Sequence, residues 1–406
     1  MHVFQRSMTA NNLAAIYAVF VLAALGGSVI TGLLIVSAFW ALVYVLIGRI
    51  RPKFSAGIAI FSIVLLAYVS VNLLFFIVNF GKVFTEPLVE LRKIAPQILF
   101  LAAIPIMWRL AISPGESLLP ALWRGAAIGA IAVLPLALFQ LYGLGERAEG
   151  GSGNAIPFAL TSALLSVTSL AGLLDDNRRF RILAGAGFVS GYICVFLAQT
   201  KGLMPVPLVC ALVFAIVFFR QRIRIGQAVG LLVLLSTLVV AGLYGSGSHK
   251  RFHDVAQRAM GDEHVELDAS YSVRWDIWVK AVSAIADAPL EGHGVQNRRS
   301  VIQSFGYAYS HMHNGYLTAM VDNGVLGLVA LLGLLLSPLY IAWRAPRNTL
   351  YGRRLFLAFS LVATYAIGGL TNFIFGHDIY DAVFLWTGIV IAVSATPDPI
   401  TDELSA

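Results

Sequence analysis

The chain has 406 residues, 58% of them hydrophobic and 12% charged, with a mean hydropathy of +0.81 and a formal net charge of +7. That balance does not suit a soluble globule and places the chain among polytopic membrane proteins. The positive charge is no sign of nucleic acid, because it gathers in short loops where basic residues meet anionic headgroups.

Apolar runs of about 20 residues, each able to cross roughly 30 Å of hydrocarbon as a helix, recur along the chain. They predict an all-α transmembrane bundle of about twelve spans, at 12–25, 28–47, 56–78, 96–111, 118–142, 154–174, 182–199, 203–219, 226–246, 314–337, 355–375 and 379–396. The first two form one apolar run, divided at Gly26-Gly27-Ser28 because an unbroken helix there is too long for a bilayer. Residues 1–246 then hold spans one to nine, 247–313 form one long, partly helical loop, and 314–406 hold the last three spans and a tail. Arg6 and the polar pair Asn11 and Asn12, ahead of a run without an obvious small-residue cleavage site, read as a retained first span. Cys194 and Cys210 fall inside apolar spans and read as small hydrophobes.

Basic residues in short loops are kept on the cytoplasmic side. With the amino terminus inside, one set of loops holds Arg49, Arg51, Lys53, Arg109, Arg124, Arg178, Arg179, Arg181, Arg220, Arg222, Arg224, Arg344, Arg347, Arg353 and Arg354. The opposite short loops hold only Lys82, Arg92, Lys93, Arg147 and Lys201. Both termini are therefore expected inside and the long loop outside. Small residues four apart at Gly125 and Gly129, Gly187 and Gly191, and Gly226 and Gly230 are expected to let helices approach closely. No Gly-x-x-x-x-Gly-Lys loop is present to bind a nucleotide phosphate.

The long loop starts polar, with Asp262, Glu263, Glu266 and Asp268 clustered. From Ser272, placed to cap, the positions Val273, Ile277, Trp278, Ala281, Val282 and Ile285 follow helical spacing, predicting an amphipathic helix near 272–286. Arg274 in its first turn has two readings: a diphosphate clamp at the positive end of the helix, or an interfacial arginine snorkelling between Trp275 and Trp278. Glu291-Gly292-His293-Gly294 reads as a tight turn with His293 a turn residue.

The loop closes on His311-Met312-His313-Asn314, where two imidazoles meet an apolar helix. Imidazole is the side chain best matched to accepting a proton near neutral pH. A carboxylate at Asp322, about 13 Å deeper at 1.5 Å per residue, must be paired or line a polar cavity, since exposure to lipid costs roughly 2.5 to 3.5 kcal/mol. It lies half a turn out of phase with His313, so a structural role is expected. Lys201, in the turn Gln199-Thr200-Lys201-Gly202, is a second phosphate candidate. The last external turn, Gly376 to Asp381, could complete a cavity or simply solvate a loop.

The run His311-Met312-His313-Asn314-Gly315-Tyr316-Leu317, followed by Asp322-Asn323-Gly324-Val325-Leu326-Gly327-Leu328, resembles the signature of the O-antigen ligase and polymerase superfamily. Arg274 and Lys201 extend the likeness, although Lys201 stands where the family often has arginine and loses bidentate geometry. The resemblance implies inverting glycosyl transfer from undecaprenyl diphosphate on the periplasmic face of the bacterial inner membrane. For a ligase, O-antigen passes to a sugar hydroxyl of lipid A core. It implies His313 as general base and Arg274 and Lys201 on the leaving diphosphate. His311 or Asn314 would orient the base or a sugar, and Arg147 and Lys82 are further substrate contacts. No metal and no cofactor are implied, and the partners are membrane lipids and lipid-linked glycan, not nucleic acid. A polymerase or a protein O-oligosaccharyltransferase is the alternative. The latter fits less well because residues 398–406 read as a short inside tail. A lipid-linked glycan transporter would predict ionisable residues deep in several spans, which most of these lack.

Overall fold

A computed structural model describes residues 2–81, 87–219, 257, 260 and 269–395. Among them there are helices and turns but no strand. In chain order the helices are α1 (His2–Leu22), α2 (Val29–Leu46), α3 (Ala56–Val78), α4 (Pro87–Ile98), α5 (Ala103–Leu110), α6 (Gly115–Leu138), α7 (Ala155–Leu170), α8 (Arg178–Leu197), α9 (Pro205–Phe219), α10 (Ala269–Asp287), α11 (Arg298–Ser304), α12 (Gly315–Arg344), α13 (Tyr351–Gly369) and α14 (Asp378–Ser394). A 3-10 turn joins α4 to α5, so Leu88–Leu110 runs as one segment.

Among the described residues eight segments are long and apolar enough to cross a membrane, which makes the chain a multi-pass membrane protein: Val29–Leu46, Ala56–Val78, Leu88–Leu110, Gly115–Gly143, Ala155–Leu174, Arg178–Leu197, Lys201–Phe218 and Gly315–Arg344. α1, α13 and α14 pack in the same bundle but are too polar or too short to qualify by that measure. The expected span 226–246, the polar start of the loop, Gly226 and Gly230, Lys82 and residues 398–406 lie outside the described residues.

The first helix begins at His2, nearly three turns before Asn12, because polar residues at that expected edge are satisfied from elsewhere in the chain. Asn12 donates to the Arg109 carbonyl at 3.1 Å, while the Arg109 guanidinium donates to Asn12 Oδ1 at 2.8 Å and Asn11 Oδ1 at 2.9 Å. The fourth span also starts earlier than its apolar run. Pro87 stands at the first helical position, where its missing N–H is harmless, and Glu90 lies in the first turn. Small residues set the packing inside the bundle. A Cβ on Gly129 would overlap the Phe20 carbonyl of α1, and Gly187 and Gly191 of α8 face Ala127 of α6 and Ser166 of α7. Cys194 and Cys210 are buried and free.

Successive loops fall at opposite ends of the bundle. One end gathers arginines: Arg124 pairs with Asp175 at 2.8 Å, Arg353 donates to the Leu174 carbonyl at 2.6 Å, and Arg354 donates to Ser394 Oγ at 3.1 Å. The other end gathers the loops expected outside. Gly151 N donates to the Ala24 carbonyl at 3.0 Å, Thr31 Oγ1 to the Asp378 carbonyl at 2.9 Å, and Ala148 N to the Leu197 carbonyl at 3.1 Å. The histidines lie at this second end.

Candidate active site

The helix α10 turns Ile277, Ala281 and Ala284 inward, and the first two join a small core with Ile302, Met312 and Val321. Three polar contacts lock it to the segment that carries the histidines. Trp278 Nε1 donates to the Met312 carbonyl at 2.9 Å, Tyr307 Oη donates to Asp276 at 2.7 Å, and Lys280 Nζ reaches both Asp276 at 2.7 Å and the Phe305 carbonyl at 3.0 Å. The helix starts at Ala269, however, so Ser272 is not its cap and Arg274 lies in the second turn. Ala269 and Ser270 are acceptable in a helix, and the apolar periodicity therefore marks the buried stripe and not the start. The helix-end part of the anion argument for Arg274 falls away, and its own charge remains.

Met312 is fully buried, which sets His311 and His313 on either side of an anchored residue. Their rings lie 4.4 Å apart between centroids, with Tyr309 edge-on to His313 at 4.8 Å and Phe373 edge-on to His311 at 4.7 Å. His313 has φ of 52°. Among the described residues only one other non-glycine residue has positive φ, Gln199 at 53°, beside Lys201. Both left-handed residues thus fall in turns singled out for their chemistry, which is where strained backbone tends to persist. Asn314 is the N-cap of α12, accepting from Tyr316 N at 3.0 Å and Leu317 N at 3.1 Å and donating to the Leu370 carbonyl at 3.4 Å. Its side chain serves the backbone that fixes His313.

Both imidazoles hold protons weakly. Burial pushes His313 down to about 4, and the Arg274 cation adds to the effect. Burial also pushes His311 down to about 3, followed by the neighbouring His313 and the Arg298 cation, with a smaller push from Arg274. At neutral pH both rings are uncharged, and both feel Arg274 as a near charge.

Below the histidines α12 is broken. Asn323 and Gly324 leave helical geometry, Gly324 with φ of 61°. The turn after α10 fills the gap: His293 N donates to the Val321 carbonyl at 2.8 Å, Gly294 N to the Asp322 carbonyl at 2.7 Å, and Val325 N to the Pro289 carbonyl at 2.9 Å. Carbonyls freed by the break are thereby satisfied by an inserted loop, as membrane depth requires. Only glycines fit, since a Cβ on Gly292 or Gly324 would strike backbone of the opposing segment. His293 is indeed a turn residue, its Nε2 lying 2.9 Å from the Ala284 carbonyl. Asp322 is paired. Arg298 Nε reaches its two oxygens at 2.8 and 3.1 Å and Nη2 makes a further short contact to Oδ2. The pair lines a chamber of about 20 Å³ with Tyr68, Asn72, Gln97 and Asn323, room for a water and not for a sugar. Sequence reasoning missed Arg298 and the break, although Asn323-Gly324 is a turn signal inside an apolar run.

The turn holding Lys201 is braced by Arg147, whose Nε and Nη2 donate to the Ala198 carbonyl at 3.0 and 2.8 Å, with Thr200 Oγ1 at 3.3 Å. This guanidinium shapes the turn. Gly202 sits against Thr371, so the Lys201 turn abuts the turn after α13. That second turn is rigid as well: Gly376 N donates to Asp381 at 3.0 and 3.2 Å. Lys201, His311, His313 and the last external turn thus lie in connections at one end of the bundle, with Arg274 on α10 packed against them.

Residues 186–332 match the family model described as O-antigen ligase. That stretch, a little over a third of the chain, is similar to the O-antigen ligase family. The matched stretch runs from within α8 to within α12, and so contains Lys201, Arg274, Arg298, His311, His313 and Asp322. An uncharacterized protein of Haemophilus influenzae (strain ATCC 51907 / DSM 11121 / KW20 / Rd) is 25% identical over 228 residues, 50% of this chain and 55% of that protein. The chain thus spans about half the length of this curated relative. Arg147, the 370–381 turn and the α3 and α4 helices complete the site end from outside the matched stretch.

Proposed function

We propose that this protein is an O-antigen ligase that transfers glycan from undecaprenyl diphosphate to a sugar hydroxyl of lipid A core on the periplasmic face of the inner membrane. The observation that carries the reading is the neutral His313, held at the mouth of α12 in left-handed backbone and under the field of Arg274. A ring with an open lone pair beside a fixed cation suits a reaction that removes a proton at one atom and releases an anion at another. His313 would take the proton of the acceptor hydroxyl as its oxygen bonds to the anomeric carbon. The bond from that carbon to the phosphate oxygen breaks, and undecaprenyl diphosphate leaves with the electron pair. Arg274 and Lys201 would hold the leaving diphosphate, and attack opposite the leaving group would invert the anomeric centre. Lys82 and the free face of Arg147 would add positive charge on the donor side. The arginine-rich end lies opposite the site, which supports a cytoplasmic placement for that end and for both termini.

No metal takes part in these steps. The test is transfer by the purified protein from lipid-linked glycan to lipid A core, with and without chelator. Formation of the glycosidic bond to the core in both conditions is expected. Extension of one lipid-linked glycan by another would make the protein a polymerase instead, and movement of glycan between leaflets without bond formation would make it a transporter.

A further inference from the structure

His311 stands beside the proposed base, yet it is the more deeply buried of the two and its Nε2 has no hydrogen-bond partner. A second orphan lies on the neighbouring turn. Asn372 is 5% exposed, its Nδ2 donates to Tyr380 Oη at 2.8 Å, and its Oδ1 has no partner. Buried polar groups are rarely left unmatched, so two such groups on adjoining turns are informative. Phe373, the next residue along that turn, stands edge-on to the His311 ring at 4.7 Å, which brings Asn372 beside it, and the amide raises the ring's affinity for its proton against burial and the cations. On the other side of the ring Ser310 Oγ lies 3.2 Å from His311 Nδ1, placed to donate to a lone pair.

Asn372 is not free to turn. Its amide is held by Tyr380, whose carbonyl accepts from Tyr365 Oη at 2.6 Å, and Phe373 wedges between His311 at 4.7 Å and Tyr380 at 5.3 Å between centroids. The turn that carries it is fixed at Leu370 by Asn314, at Thr371 by Gly202 and at Gly376 by Asp381. The groups facing His311 are therefore Ser310, His313, Phe373 and Asn372, with Arg274 and Arg298 as the nearby charges.

We propose that Asn372 is a positioning residue that fixes His311 as the neutral Nε2–H tautomer, leaving His313 as the ring that receives the proton. With Nδ1 accepting from Ser310 and the proton kept on Nε2 by the nearby Asn372 oxygen, His311 would have no lone pair to offer an acceptor hydroxyl. It serves as a fixed wall against which the His313 ring packs. The catalytic meaning of this arrangement rests on the glycosyl-transfer reading, whereas the tautomer itself does not.

The experiment is nitrogen-15 NMR of the full chain labelled at histidine, in detergent and without substrate, with the His311 signals assigned by their loss in His311→Gln. The expected result is a neutral His311 protonated at Nε2 near neutral pH, which becomes a mixture of both tautomers in Asn372→Ala. Asn372→Asp keeps the acceptor and should restore the Nε2–H form. Tyr380→Phe, which leaves the amide and the ring packing in place, should loosen the preference partially and serves if Asn372→Ala does not fold. A His311 protonated at Nδ1, or a tautomer unchanged in both Asn372→Ala and Tyr380→Phe, would overturn the proposal. If the tautomer responds as expected but the protein forms no glycosidic bond, the functional reading fails and the positioning role stands.

Discussion

Removing the carboxylate of Asp322 is the perturbation that the fold of the site end should feel most. Asp322 and Arg298 have side chains 5% and 16% exposed, and the guanidinium reaches the carboxylate from both Nε and Nη2. In Asp322→Asn the cation stays in a chamber with room for about one water, which can replace only one of the lost bonds. Stranding one member of a buried pair costs about 3 to 5 kcal/mol, and a single replacement water argues for the lower end of that range. Replacing both partners by apolar residues removes the stranded charge, so Asp322→Leu with Arg298→Met should be more stable than either single variant. Equilibrium unfolding in mixed micelles, run as a double-mutant cycle, measures this directly. A cost under about 1 kcal/mol for Asp322→Asn, or strictly additive single effects, would refute the idea that this pair holds the inserted turn in place.

Three further outcomes follow from the same geometry. Because His313 is pushed down to about 4 by burial and Arg274, transfer should rise with pH through that region and stay level to neutrality. In Arg274→Ala the acid limb should move toward neutral pH, and an unmoved limb would show that the arginine is remote from the base. Stability carries the matching sign. The folded histidines bind protons less readily than an ordinary imidazole near 6.5, so stability is full above that value and falls as pH drops toward 4, which a melting series checks. Gly324→Ala forces a Cβ onto the Leu290 carbonyl at φ of 61°; it should cost about 1 to 3 kcal/mol and release the 289–294 turn to proteolysis, whereas a protein as stable as the parent would mean the turn is not inserted.

Much of the bundle was legible because hydropathy alone dictates it. The run 56–78 became α3 over the same residues, and the split at Gly26-Gly27-Ser28 falls between α1 and α2. Boundaries failed where a polar residue found a distant partner. Asn12 read as the edge of a span, yet Arg109, 97 positions away, lets the helix run through it. The histidine motif was visible since unlike residues stood at the head of an apolar helix. Its supports were not: Arg298 pairs across 24 positions, and Asn372 reaches His311 only because two loops close on each other. The start of α10 was misplaced by three residues for a local reason, since periodicity reports a buried face and does not mark where a helix begins.

The most direct trial of the account is the rate of glycan transfer to lipid A core by the purified His313→Ala variant, with His311→Ala and the parent chain measured alongside. Near-complete loss in His313→Ala, with the folded yield of the parent, is the predicted result. Undiminished transfer by that variant would contradict the central claim that the imidazole at this left-handed position accepts the proton.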